Sequence, residues 1–277
     1  MCDERELRKW IEYRKAHPYV SRRAFGALSA GAGLAAMLPG AANAQAVTES
    51  DVEIETPDGT ADCYFVHPAT GAHAAVLVWP DIFGLRSAFR DMGQRLAESG
   101  YSVLVVNPFY RDTRAPIEGN AGFQFARSLN RETHITDARA FIDWLDEQDP
   151  VAGDRQMGTT GYCMGGPMVM HTAYARADRI GAGATFHGGG LHTGPHELIP
   201  EMDAQFLIAI AANDDEQAPE AKTILREAFD SAGLMAEIEV YQGTEHGWCP
   251  PDSRVYHEEQ AERAWSRMLA LFERALA

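Results

Sequence analysis

The segment around Cys163 has the residue types of a nucleophile held on a tight turn. Apolar strand-like and helix-like stretches flank the motif, which reads Gly161-Tyr162-Cys163-Met164-Gly165-Gly166. Small residues two positions on either side of a nucleophile allow a sharp strand-to-helix turn with strained backbone. A helix N-terminus beside the sulfur favours the thiolate, and the amide of the next residue would face an oxyanion. The alternative is a glycine-rich turn around a buried structural cysteine.

Two further residues lie where the partners of such a nucleophile are expected. Asp215 follows the apolar stretch 206–211, and His246 follows the stretch that ends at Tyr241. A nucleophile, an acid and a histidine in this chain order, each after a strand, are typical of α/β-hydrolases. The alternative for Asp215 is a helix N-cap, with Asp214 as an adjacent rival, and the alternative for His246 is an exposed loop position.

Strand and helix patterns alternate through the rest of the chain. Several strand candidates are continuous apolar runs, which is typical of strands that helices cover on both faces. The predicted strands are 52–55, 61–66, 75–79, 102–106, 156–161, 182–186, 206–211 and 236–241. The predicted helices are 88–99, 135–147, 167–175, 219–232 and 258–276. This order predicts a single α/β domain over 45–277, with a mostly parallel, doubly wound sheet flanked by helices.

The first 44 residues have the features of an export signal. Ser21-Arg22-Arg23 precedes an uncharged stretch over 26–40, and Ala42-Asn43-Ala44 supplies the small residues of a cleavage site. The paired arginines resemble those of twin-arginine signals, so we expect the twin-arginine export machinery as a partner and the periplasm as the location. The apolar stretch is too short for a permanent membrane span. An amphipathic helix over 6–15 is the alternative.

The acidic composition argues against one class of ligand, nucleic acids. The chain of 277 residues carries 24 Lys and Arg against 40 Asp and Glu, for a formal net charge of −16. Without residues 1–44, the remaining 233 residues carry −19. Such a charge disfavours nucleic acid as a partner, because phosphate binding needs basic surface.

The combined motifs resemble the dienelactone hydrolase family, whose members have the α/β-hydrolase fold and a cysteine nucleophile. The segments that carry the likeness, besides the cysteine motif, are 80–85, 215–219 and 245–248. The resemblance implies Cys163 as the nucleophile, His246 as its base and Asp215 as the orienting acid. It also implies an oxyanion hole made by the amides of Ile82 and Met164. The expected reaction is hydrolysis of a lactone or another activated ester through an acyl-cysteine, without a cofactor or a metal.

The resemblance also implies where substrate is held. The expected substrate contacts are Asp81, Tyr110, Arg111 and Trp248. Asp81 stands where the family commonly has a glutamate that contacts the resting cysteine. Dienelactone-specific members hold the substrate carboxylate with arginines, one of them shortly after the histidine, where this chain has Cys249-Pro250-Pro251. Arg111 and Arg114 could serve from the other side, or could be solvated loop charges.

Other functions stay open on the same fold. A thioesterase or a small-peptide hydrolase would use the same triad, and a catalytically silent binding protein would keep the fold alone. A separate histidine cluster, His187, His192 and His196, could bind zinc, but its spacing matches no regular ligand pair. Cys63 is expected in the core and Cys249 near the pocket.

Overall fold

Eight strands form a single sheet in the residues that the structure describes. The structure is a computed structural model and covers residues 4–21 and 44–277. The strands are β1 (Val47–Thr56), β2 (Gly59–Pro68), β3 (Ala75–Trp79), β4 (Ser102–Val106), β5 (Met157–Tyr162), β6 (Ile180–Phe186), β7 (Gln205–Ala211) and β8 (Ala236–Tyr241). Their order is β1-β2-β4-β3-β5-β6-β7-β8. The pairs β1/β2 and β2/β4 are antiparallel, and all the other neighbours are parallel. The prediction of an α/β-hydrolase fold with a mostly parallel sheet is confirmed.

Helices cover both faces of this sheet. They are α1 (Glu4–Ala16), α2 (Ser87–Glu98), α3 (Ala121–Phe125), α4 (Arg131–Asp146), α5 (Gly165–Ala175), α6 (Ala212–Gln217), α7 (Ala221–Ala232) and α8 (Glu258–Ala275), with a 3₁₀ helix at Pro195–Glu201. The five predicted helices correspond to α2, α4, α5, α7 and α8. The short helices α3 and α6 and the 3₁₀ helix were not predicted, because segments of five to seven residues carry too little periodicity to identify.

Side chains of the central strands point alternately to the two faces of the sheet, and this divides the hydrophobic core into two clusters. In β3, Val76 and Val78 face one cluster, which includes side chains of α2 and α8. Ala75, Leu77 and Trp79 face the opposite cluster, which includes side chains of α4, α5 and α7. Every residue of β3 is buried, so the continuous apolar run in the sequence reflects a strand covered on both faces.

The N-terminal helix α1 packs on the domain rather than extending away from it. Its Trp10 is 9% exposed and stacks on Phe83, with ring centroids 5.7 Å apart. Arg14 pairs with the buried Asp252 at 3.1 Å. The amphipathic helix weighed for this segment is therefore present. The predicted signal motif and cleavage site lie mainly within 22–43, outside the described residues, so the boundary at 44 stays a prediction. No described helix is long and apolar enough to cross a membrane.

Candidate active site

Cys163 occupies a strained turn between β5 and α5. Its φ of 55° is in the left-handed region, which costs a non-glycine residue about 1–2 kcal/mol. Two glycines make the turn possible: a Cβ on Gly161 would lie 2.3 Å from the Gly165 carbonyl oxygen, and a Cβ on Gly165 would lie 2.5 Å from the Trp79 carbonyl oxygen. The glycines of the motif are thus required by close backbone approach, and the turn projects the cysteine at the carboxyl edge of the sheet.

His246 bridges the cysteine and a carboxylate. Its Nε2 lies 3.0 Å from Cys163 Sγ, and its Nδ1 lies 2.8 Å from Asp214 Oδ2. The backbone amide of His246 donates to Asn213 Oδ1 at 2.8 Å, which fixes the loop that carries the histidine. These distances are within hydrogen-bonding range, so a proton can pass between the sulfur and the imidazole while the carboxylate orients the ring.

The acid that contacts His246 is Asp214, and the prediction of Asp215 was wrong. Asp215 instead pairs with Lys222 of α7. Both aspartates lie in α6, where adjacent residues project about 100° apart, so only one of them can face the histidine. The sequence predicted the correct loop for the acid. It did not predict the short helix α6, whose geometry decides which of the two aspartates faces His246.

The surroundings of His246 favour its charged form. Burial lowers the pKa of this imidazole, but the neighbouring Cys163 sulfur and Asp214 carboxylate raise it, and the net pKa lies well above the ordinary 6.5. A protonated imidazole beside the Cys163 sulfur is a proton donor held next to a candidate nucleophile.

The predicted oxyanion donors are free of other hydrogen bonds. Among the described residues, the amides of Ile82 and Met164 donate to no protein oxygen. The amides beside them are engaged: Phe83 donates to Asp81 Oδ1, and Cys163 donates to the Phe186 carbonyl oxygen. Ile82 and Met164 line the same cavity as Cys163, and two unused N–H groups are what stabilisation of an oxyanion requires.

An apolar cavity of about 340 Å³ opens beside Cys163 and His246. Its walls include Phe123, Met164, Leu191, Ile208, Ile210 and Leu225. Among the described residues that line it there is no lysine or arginine. The cavity therefore suits an uncharged, mostly apolar group next to the sulfur.

The predicted substrate contacts at Tyr110 and Arg111 were wrong. Tyr110 hydrogen-bonds to Thr56 and to Asp137 Oδ1, and Arg111 pairs with Asp137 and Asp58. These side chains form a polar cluster over β1 and α4 and do not line the cavity at Cys163. Burial is the physical reason: Asp137 is 2% exposed, and its carboxylate needs these partners.

Asp81 and Trp248 are also committed elsewhere. Asp81 accepts hydrogen bonds from Arg86 at 2.7 and 2.9 Å, so its carboxylate is neutralised inside the protein. It lines a small space beside Cys163 but not the larger apolar cavity. Trp248 is fully buried and stacks on Tyr241 at 4.8 Å. Its role is to pack behind the loop of His246. Arg114, the other candidate arginine, pairs with Glu53 at the surface.

His187 is a residue of the site that the sequence did not assign. It follows β6 with φ 43°, is 1% exposed, and contacts the His246 ring edge-on at 5.1 Å between centroids. Burial, and then the charge of His246, lower its pKa well below 6.5. Among the described residues, its ring nitrogens have no hydrogen-bond partner. A neutral ring beside the imidazolium limits the motion of His246 without competing for its proton.

The predicted histidine cluster forms no metal site, and the other two described cysteines are buried in the core. The described residues contain no group of three His, Cys, Asp or Glu side chains arranged to hold a metal, so His187, His192 and His196 do not converge. Cys63 is buried in the core as expected. Cys249 packs between Tyr162 and Trp265, away from the cavity at Cys163.

The strand order, the strained cysteine turn and the histidine after the last strand define an α/β-hydrolase. The dienelactone hydrolase family model matches residues 61–276, and the chain belongs to that family. A Synechocystis sp. protein provisionally named a carboxymethylenebutenolidase is 27% identical, over 77% of this chain and 91% of its own. The carboxymethylenebutenolidase of Rhodococcus opacus is 25% identical, over 79% of this chain and 88% of its own.

A solved structure has the same fold. A dienelactone hydrolase-like promiscuous phosphotriesterase from metagenomic libraries superposes with a TM-score of 0.74 at 21% identity, covering 84% of this chain and all of the other. Family membership confirms the prediction of an enzyme that hydrolyses carboxylic esters.

Proposed function

We propose that this enzyme opens an uncharged lactone or hydrolyses a similar activated ester through a Cys163–His246–Asp214 triad. The observation that carries the proposal is the placement of His246, with Nε2 at 3.0 Å from the Cys163 sulfur and Nδ1 at 2.8 Å from Asp214. The names of the relatives, which act on carboxymethylenebutenolides, support the reaction class. A thiolate and an imidazolium held in contact are the reactive form of such a pair.

The first half-reaction forms an acyl-cysteine. The Cys163 thiolate attacks the carbonyl carbon, a C–S bond forms, and the carbonyl oxygen becomes an oxyanion held by the Ile82 and Met164 amides. The oxyanion collapses, the C–O bond of the ester breaks, and the leaving oxygen takes the proton from His246 Nε2. In a lactone this oxygen stays attached to the acyl group as a hydroxyl.

The second half-reaction returns the enzyme to its resting state. Neutral His246 removes a proton from water, the resulting hydroxide attacks the acyl carbon, and the C–S bond breaks to restore the thiolate and the imidazolium. The acid product releases its proton to solvent. Asp214 holds the ring throughout, so that Nε2 faces the sulfur and the reacting oxygens.

The cavity supports an uncharged substrate. Its described lining contains Asp214 and several aliphatic side chains but no lysine or arginine. The charges that the lining does carry, on His246 and Asp214, are paired with each other. Burying a substrate carboxylate there, without a cation of its own, would be unfavourable. A lactone that carries its own carboxylate would need a positively charged partner in the cavity, whereas a neutral lactone does not.

Trapping of the intermediate tests the mechanism. Incubation with a neutral lactone should add the mass of the acyl group to Cys163, located by peptide mass spectrometry after an acid quench. Cys163→Ala should abolish both the adduct and turnover, whereas Cys249→Ala, at a buried cysteine away from the cavity, should retain them. Wild-type turnover by Cys163→Ala would refute the mechanism.

Export by the twin-arginine route remains part of the proposal. The sequence of 1–44 supports it, and fractionation tests it: replacement of Arg22 and Arg23 by lysine should leave the protein in the cytoplasm. Appearance of that variant in the periplasm at the wild-type level would argue against this route.

A further inference from the structure

The cysteine separates two spaces of very different size. A cavity of about 340 Å³ and a chamber of about 30 Å³ both adjoin Cys163 and differ in most of their other lining residues. Both are lined by Ile82, Phe123, Cys163 and His246, so both open on the reacting atoms. A chamber of this size holds about two water molecules. An ester whose two arms point to opposite sides of its carbonyl would therefore have room for only one of them.

Trp10 of α1 forms a wall of the small chamber. The chamber is lined by Trp10 together with His187, Gly247 and the shared residues at the cysteine. The indole fits closely: a Cβ on Gly247 would lie 2.7 Å from Trp10 Cη2. Gly247 directly follows the candidate catalytic histidine, so the ring presses on the loop that carries His246.

Two contacts hold this tryptophan in place. The indole stacks on Phe83 at 5.7 Å with an interplanar angle of 26°. One helical turn further along, the Arg14 guanidinium lies 4.8 Å from the centre of the same Phe83 ring and pairs with Asp252. An aromatic stack and an ion pair on one face of α1 fix the helix over the chamber.

Trp10 does not belong to the part of the chain that defines the family. The family match begins at residue 61, whereas Trp10 lies in the N-terminal helix. The wall that Trp10 contributes to the chamber therefore comes from outside the matched catalytic domain.

We propose that, in the chain that retains its N-terminal helix, Trp10 is a specificity-determining residue that narrows the second subsite and restricts the enzyme to substrates with bulk on one side of the scissile carbonyl. A lactone meets this condition because its acyl and alkoxy parts are joined in one ring, which fits the larger cavity. An open-chain ester with two bulky arms does not. The proposal rests on the proposed ester and lactone hydrolysis at Cys163.

A pair of substrates tests the restriction in the full-length chain, whose intact N-terminus is verified by mass. The substrates are a neutral bicyclic lactone, dihydrocoumarin, and an open-chain ester with two aromatic arms, phenyl phenylacetate. We expect Trp10→Ala to raise kcat/KM for the open-chain ester at least tenfold and to leave the lactone within threefold. Trp10→Phe should give a smaller gain. Arg8→Ala, on the exposed face of α1, should match the wild type for both substrates.

The outcomes separate this inference from the proposed function. An equal gain on both substrates would show general occlusion of the site by α1 and would overturn the specificity role. An unchanged ratio of the two kcat/KM values would overturn it as well. The Cys163→Ala variant, assayed in parallel, tests the chemistry itself: loss of all turnover there, with an unchanged ratio in Trp10→Ala, would reject only the role of Trp10.

Removal of residues 1–44 on export would open the same chamber, so the processed enzyme should behave like Trp10→Ala.

Discussion

Two polar triplets lie at the same edge of the sheet and have opposite characters. In the triplet that we propose to be catalytic, His246 joins Cys163 and Asp214 with one hydrogen bond to each. In the other triplet, the buried Arg86 joins Asp81 and Asp252 with four hydrogen bonds of 2.7–2.9 Å.

The two triplets differ in how far their polar groups are exposed and paired. Cys163 has left-handed backbone, the amides of Ile82 and Met164 donate to no oxygen among the described residues, and the His246 and Asp214 side chains are 21% and 26% exposed. In the arginine triplet the side chains of Arg86, Asp81 and Asp252 are 6%, 7% and 3% exposed, and both carboxylates are neutralised. The first can react with a ligand, whereas the second holds loops together. The arginines expected to bind substrate are engaged in ion pairs elsewhere, which leaves the described lining of the cavity without a lysine or an arginine.

The first prediction concerns the acid of the catalytic triplet. Asp214→Asn should lower kcat/KM by about 10³-fold or more, because an amide does not stabilise the imidazolium or fix its tautomer. The matched variant Asp215→Asn removes only the pair with Lys222 and should stay within threefold of the wild type. Steady-state kinetics on a neutral lactone measure both. A larger loss in Asp215→Asn than in Asp214→Asn would reverse the assignment.

The second prediction concerns the arginine triplet. Arg86→Met should reduce the free energy of unfolding by about 3–5 kcal/mol, because it leaves the buried Asp81 without its cation and Asp252 with only its pair to Arg14. Urea denaturation measures the change. Arg114→Met, at an exposed pair with Glu53, is the control and should leave the urea midpoint unchanged. Equal midpoints for the two variants would show that the buried triplet is dispensable for stability.

The third prediction concerns the charge of the cavity. The wild type should prefer a neutral lactone over a carboxylate-bearing lactone of equal size by about tenfold or more in kcat/KM, since one buried, poorly paired charge costs at least this much. Gln217 lines the cavity and is exposed. Gln217→Arg should raise kcat/KM for the carboxylate-bearing lactone by about threefold to fivefold, the strength of an exposed ion pair. Gln217→Met is the neutral control, and a preference of the wild type for the carboxylate would contradict the prediction.

The fourth prediction concerns the pKa of His246, with the buried His171 as a reference. NMR titration should give His246 a pKa above 6.5, so that it is imidazolium at neutral pH and loses its proton as the pH rises through this value. In Cys163→Ala the pKa should fall, because the sulfur that raises it is gone while burial still lowers it. His171, which burial lowers to a pKa of about 4, is the internal control and should not change. If the pKa of His246 is the same in the wild type and in Cys163→Ala, the sulfur does not raise that pKa.

The sequence predicted the features that local patterns encode. The cysteine motif identified the turn because glycine is needed wherever the backbone approaches within about 3 Å, as at Gly161 and Gly165. The buried strands were identified because residues covered on both faces must be apolar, as in β3 and β4. The chain order of nucleophile, acid and histidine placed the three loops at one edge of a parallel sheet.

Only the tertiary structure decided which side chains meet. The choice of Asp214 over Asp215 depends on the rotation of the short helix α6, the engagement of Arg111 depends on a carboxylate 26 residues away, and the closure of the chamber depends on Trp10 reaching Gly247. Such contacts join residues that no local periodicity relates, and their energies depend on burial and distance, which exist only once the chain has folded. The sequence by itself determined where the chemistry occurs, whereas the folded structure determined which acid assists it and what size and charge of substrate can reach it.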